Sequence, residues 1–263
     1  MTSTNERADG LIAQIVALGL RQDGLPPLVE ALCAGLCAAG VALLRLQVAM
    51  PARHALFDAE SATWRRGSGV ELRSFAHGGR DQEPFRSSAF AHMLATGTPT
   101  LRRSLVDPAA IDFPMLHDVR AAGGTEYYAR LVGFGDREGS DVTILRGMVI
   151  SFSSDAPAGF AAADIALIER VLPAFALACF RVQLQRGTLA LADAYLGADA
   201  GARVLRGETR RGAVVAIEAA LLIADLRGFT ALADRIPDTE LVAALNGYLD
   251  QVGGAVAAPT WSR

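Results

Sequence analysis

The chain has no lysine: all 25 basic residues among its 263 are arginines, and the formal net charge is -3. Without a basic excess it lacks the electrostatic footprint of a nucleic-acid or anionic-membrane binder. Cysteine is scarce. Cys33, Cys37 and Cys179 make no disulfide framework, and an odd count fits a reducing compartment. Cys33 and Cys37 face the same way on an expected helix, but no second ligand pair with zinc-like spacing follows, so they read as small buried hydrophobes. Long apolar runs are missing too. The longest uncharged apolar-rich stretch, residues 31–44, is bounded by Glu30 and Arg45 and falls short of the ~20 residues that cross a bilayer. Residues 1–9 are polar and lack the basic-then-apolar order of a signal peptide. These absences predict a cytoplasmic protein with no membrane and no nucleic-acid partner.

An apolar content of 51% against 20% charge excludes disorder for the chain as a whole, and its length exceeds one small domain. Leu11, Ile15 and Leu18 carry helical spacing, broken by Gly24, Pro26 and Pro27, which start a second helix over 28–39 that Gly40 ends. Residues 41–50 read as a strand stopped by Pro51, and 62–75 as a hairpin. A short helix over 88–95 closes at Gly97, a strand begins at 99, and a helix over 112–122 ends at Gly123 and Gly124. Strands follow over 127–135 and 142–151, with Asp136, Arg137, Glu138 and Asp141 at the solvated tip between them. The order predicts an α+β domain with an antiparallel sheet flanked by helices.

From Phe160 a long helix runs to about residue 189. Ile165, Ile168, Leu172, Phe175, Cys179 and Val182 alternate spacings of 3 and 4, a heptad seam interrupted by Pro173. Such a seam covers the sheet of its own domain or pairs with a second copy of the chain. His54, His77, His92 and His117 are scattered, and nothing pairs them at a spacing suited to a metal or haem iron.

Residues 188–212 change character, with Gly197, Gly201 and Gly207 and then Arg203, Arg206, Arg210 and Arg211, and read as a solvated connector. Beyond it, the apolar run 219–224 predicts a buried strand ending in Asp225, followed by Leu226, Arg227, Gly228, Phe229 and Thr230 and a short helix to about 235. Asp238 starts the next helix, with Leu241, Leu245, Tyr248, Leu249 and Val252 on one face. A carboxylate at a strand end beside a helix start suits a magnesium-bound phosphate: the acid takes the metal, and the free N–H groups take the anionic oxygens.

Two resemblances add to these readings. Residues 10–183 resemble a GAF-type sensory domain in element order and in the stretch FPMLHDVRAAGGTEYYARLVGF at 113–134. That likeness implies a small-molecule sensor of unspecified ligand, or a dimerisation module. The stretch LLIADLRGFTALADRIPDTELVAALNGYLD at 221–250 is similar to the start of the class III adenylate and guanylate cyclase catalytic domain, and YLG followed by RVLRGETRRG resembles the connector that precedes it. The organisation so implied is a GAF-like domain over 10–183, a helical, arginine-rich connector over 184–217, an incomplete ferredoxin-like cyclase segment over 218–258, and an aberrant tail over 259–263.

By this resemblance Asp225 is a ligand shared by two Mg²⁺ or Mn²⁺ ions and Leu226 lends its backbone carbonyl. Gly228, Phe229 and Thr230 touch the nucleotide phosphates. The implied reaction is two-metal conversion of a nucleoside triphosphate, with ATP ranked ahead of GTP and the choice left open, to 3′,5′-cyclic AMP and pyrophosphate in a homodimer, in signal transduction. The pattern then breaks. The family's second metal-binding Asp and its adenine-selecting lysine find no counterpart, so the polypeptide itself is expected to be inactive. One strand and two helices cannot cover both faces of a sheet, so 218–263 is expected to be loose or to self-associate.

Overall fold

The computed structural model describes residues 4–21, 24–52, 57–79, 82–134, 147–208 and 222–257. The chain divides into two compact units, Met1–Thr209 and Arg210–Arg263.

The first unit opens with helix α1 (Thr4–Arg21) and helix α2 (Leu25–Ala38), whose start carries the two prolines, where a missing N–H costs nothing. Strands β1 (Leu43–Pro51), β2 (Phe57–Arg65) and β3 (Gly69–Ala76) follow as a meander. Then come short helices α3 (Glu83–Arg86) and α4 (Ala89–Thr96). The Ser88 hydroxyl accepts the Ala91 N–H to cap α4, and Gly97, at φ 66°, ends it. Strand β4 (Thr100–Ser104), a 3₁₀ turn at Pro108–Ala110, helix α5 (Pro114–Ala121), strands β5 (Glu126–Gly133) and β6 (Gly147–Ser154), and helix α6 (Ala162–Leu196) complete the order. All neighbours pair antiparallel, in the order β3-β2-β1-β6-β5-β4. The unit thus has the expected α+β plan, an antiparallel sheet flanked by helices and followed by a helical connector. The expected strand residues 142–146 and the loop 135–141 lie outside the described residues, as does His54.

Alternation along the strands divides the side chains between two layers. Leu46, Val48 and Met50 of β1, Ile150 and Phe152 of β6, and Trp64 of β2 join α1, α2 and α6 in the larger core. The heptad seam lies inside this layer: Ile168, Leu172, Phe175, Cys179 and Val182 are buried in it and Ile165 packs against it. The seam therefore covers the unit's own sheet. Small residues let the helices approach, since a Cβ on Gly35 of α2 would collide with Leu11 of α1. Cys33 and Cys179 are fully buried here, and burial drives both thiols far above their ordinary range.

Polar ties fix the layers. Glu126, nearly buried, accepts from the Arg102 guanidinium of β4 and from the Phe160 N–H ahead of α6, so one carboxylate joins β4, β5 and the helix entry. Gly159, at φ 73°, is required beside it, because a side chain there would strike that carboxylate. On α6 itself, Glu169 accepts the Tyr128 hydroxyl at 2.6 Å and pairs with Arg130 at 2.9 Å. Burial first, then the Glu169 carboxylate, pushes the Tyr128 hydroxyl well above its ordinary pKa. Pro173 stands one turn further along the helix.

The connector is helical in its described part, as expected. Helix α6 continues to Leu196, Gly197 turns the chain at φ 82°, and helix α7 (Ala198–Leu205) packs back on α6 with Gly201 against Ala192. Its glycines are a helix end and a close contact, not slack. Residues 209–217 lie outside the described residues.

In the second unit, helices α8 (Phe229–Ala233) and α9 (Asp238–Ala257) form where the sequence predicts them. The strand over 219–224 is corrected for its described part. Residues 222–224 pair with nothing, and Leu222 and Ile223 are 64% and 89% exposed. A strand needs a neighbour to satisfy its backbone, and none of this unit's described residues supplies one. Leu241, Leu245, Tyr248 and Val252 on α9 are half-buried, whereas Leu249 is exposed.

Candidate functional site

The turn singled out by the sequence keeps its parts together locally. Asp225 is exposed, and its carboxylate accepts the N–H of Leu226 at 2.9 Å. The Leu226 carbonyl accepts from Phe229 at 3.2 Å, and Gly228, at φ 76°, leads into α8. No atom lies near where a Cβ on Gly228 would stand, so the glycine serves the left-handed turn rather than a close packing contact. Thr230 is exposed and Phe229 half-buried.

Among the described residues the turn supplies only part of a two-ion donor set. It offers one carboxylate and one carbonyl already engaged in a turn, and no group of three or more His, Cys, Asp or Glu suited to a metal occurs among the described residues. Hard divalent ions at a paired site need several oxygen ligands held in place.

A second place emerges on the sheet face opposite the larger core. Beneath α4 and α5, Phe90, Met93, Leu116 and Val119 pack on Leu101, Tyr127, Ala129 and Val149 in a smaller core. Towards β1 this core opens into a shallow apolar recess floored by Ala49, Leu131 and Val149 and walled by Phe85, Phe90 and Leu94.

Along the same face the sheet turns polar. Arg45 and Gln47 share it with Ala49, and Arg45 Nη2 donates to Gln47 Oε1 at 2.7 Å. Register places Arg45 opposite Ser153, Ser153 opposite Tyr127, and Gln47 opposite both Thr63 and Ser151. Thr63, Ser151 and Ser153 are buried, and Tyr127 is fully so. Three solvent-shielded polar atoms there lack a hydrogen-bond partner: Arg45 Nη1, Tyr127 Oη and Ser151 Oγ. Burial lowers the Arg45 guanidinium pKa and pushes the Tyr127 hydroxyl up to about 12, the neighbouring Ser151 hydroxyl and the Arg45 charge opposing the latter shift. Ser151 lies close to Tyr127, but their geometry makes no hydrogen bond.

None of these residues stands out in the sequence, because the row forms only when β1, β5 and β6 pair. The available signal was serine at alternate positions of β6, Ser151 and Ser153, on a strand whose residues are all buried. Among the histidines, His92 is exposed with its ring tilted at 56° against Phe113, centroids 5.4 Å apart, and His117 is exposed.

No protein-family profile matches the chain, and no curated protein matches it. Solved structures with similarity include the GAF domain of a two-component sensor histidine kinase from Bacillus halodurans, at 14% identity and a TM-score of 0.41, covering 59% of this chain and 96% of that one. An N-acylhomoserine lactone-dependent LuxR-family transcription factor, CepR2 from Burkholderia cenocepacia, is similar at 11% identity and a TM-score of 0.40, covering 68% and 98%. The phycoerythrobilin-bound GAF domain of a cyanobacterial phytochrome is similar at 11% identity and a TM-score of 0.40, covering 70% and 98%. Likenesses at this level leave the chain's family unassigned.

Proposed function

We propose that the first unit is a small-molecule sensory module whose ligand occupies the recess between the sheet and the α4–α5 layer. The observation that carries this reading is the recess itself. The other sheet face is filled by the unit's own helices, whereas here apolar side chains leave a recess open to solvent. The GAF-like order of elements supports the same reading. 1-Octanol serves as a probe. At about 100 times its Kd, a ligand adds ~2.7 kcal/mol, or roughly 5–10 °C in Tm for a unit of this size. Leu131→Trp fills the recess and is expected to abolish that rise, each protein being compared with its own unliganded Tm. An equal rise in the variant would show that octanol binds elsewhere and defeat the reading.

We further propose that residues from Asp225 onwards are the opening of a class III cyclase catalytic segment, which the first unit regulates through α6 and α7. Support comes from the residue pattern at 221–250 and from the helices forming where that pattern puts them. On this reading Asp225 and the Leu226 carbonyl would hold the two ions, and Gly228, Phe229 and Thr230 would meet the phosphates of ATP. The turn nevertheless offers a single carboxylate, Asp225, and the sequence contains no lysine. It is expected to give no cyclic AMP from ATP with Mg²⁺ or Mn²⁺; product formation that Asp225→Ala removes would overturn this.

A second reading, a dimerisation module, is favoured by one observation. Leu177, Leu184 and Leu191 recur every seventh residue on α6 and are all exposed, a stripe separate from the buried seam and suited to a second copy of the chain.

A further inference from the structure

On the reading that a small molecule occupies the recess, we propose that this molecule carries an oxyanion, a carboxylate or a phosphate, received by Arg45, Tyr127 and Ser151 while its apolar body lies over Ala49, Val149 and Leu131. The three unpartnered atoms, Arg45 Nη1, Tyr127 Oη and Ser151 Oγ, all carry hydrogens to donate, and they lie on one face of three consecutive strands. Their shared complement is a group rich in acceptors.

Charge narrows the choice further. On this face Arg45, Arg65 and Arg73 meet one contacting carboxylate, Glu71, which Arg65 holds at 3.1 Å and Arg73 at 2.8 Å. Arg45 is left with the neutral Gln47; Asp118 on α5 lends it a negative field without an ion pair. A cationic ligand would meet like charge here. A neutral carbonyl would take the hydrogen bonds and leave the shielded guanidinium uncompensated, whereas an anion supplies both acceptors and charge.

The spacing fits one short amphiphile. Arg45, Gln47 and Ala49 occupy successive positions on one face of β1, so about 13 Å of strand separates the cation from the recess floor. The Arg45–Gln47 hydrogen bond shows the guanidinium leaning along the strand towards that floor. A head group at Arg45 and an unbranched chain of moderate length span the two ends.

Isothermal titration of the full chain with octanoate, octyl phosphate and 1-octanol tests the proposal. At least one of the anions is expected to bind about tenfold or more tightly than the alcohol, in keeping with a charge-assisted contact. The preferred anion identifies the head group. Arg45→Met should erase the preference, the anions falling to about the affinity of octanol. Tyr127→Phe, which removes a hydroxyl and keeps the ring in its core, should weaken the anion severalfold and narrow its margin over the alcohol, and it decides the matter if Arg45→Met does not fold. Octanol binding as well as both anions, or a preference that survives in the folded variants, overturns the oxyanion and leaves the recess reading standing. Binding of none of the three overturns both.

Discussion

Replacement of Glu126 by alanine is expected to lower the unfolding free energy of the first unit by about 3 kcal/mol, read as a fall of roughly 6–12 °C in Tm. The carboxylate is 11% exposed and accepts from Arg102 and from the Phe160 N–H. Arg102 is half exposed, so water replaces much of what it loses, and the ion pair alone contributes little. The larger part comes from the Phe160 N–H, which is buried and left without an acceptor. Glu126→Gln keeps an oxygen for that N–H and should cost less than half as much. Equal losses in the two variants would place the stability in the charge pair and refute this division.

Phe175→Ala should cost about 3–5 kcal/mol, the range for deleting a buried aromatic ring. Phe175 is fully buried in the layer between α6 and the sheet. Leu184→Ala, on the exposed stripe of the same helix, should leave the stability of a dilute monomer within about 0.5 kcal/mol. Chemical denaturation separates the two, and sedimentation adds the dimer test: the dimerisation reading requires Leu184→Glu to abolish self-association without unfolding the chain. A monomeric wild type, or a variant that still associates, ends that reading. A large stability loss at Leu184 with little at Phe175 would reverse the assignment of the two faces.

The seam and the stripe show what periodicity does and does not reveal. Spacings of 3 and 4 mark an apolar helix face, but the period is the same whether the face meets a sheet or another helix. Only the packing of Ile168, Phe175 and Val182 on β1 and β6 decides it. Elements with local punctuation were legible: Ser88 and Gly97 bound α4, and Pro26 and Pro27 start α2. The end of β6 was not, because Ser153 and Ser154 look like loop residues and are in fact buried. The run before Asp225 illustrates the converse, since apolarity alone makes no strand without a partner. Arg45, Tyr127 and Ser151 lie far apart in sequence, and strand register alone assembles them, so no spacing rule would have found them.

Strand β5 serves two masters. Its odd-numbered residues, Tyr127, Ala129 and Leu131, belong to the recess side, while Tyr128 and Arg130 grip Glu169 on α6. Pro173 has no N–H, so the Glu169 carbonyl lacks its usual helical partner, and the rod is softest where the strand holds it. From that turn to Leu196, α6 extends ~35 Å at 1.5 Å per residue. Beyond Pro173, however, Phe175, Cys179 and Val182 clamp the arm in the core and Arg186 is tied to Glu60 of β2, so a shift of β5 is taken up at the soft turn before it reaches the far end.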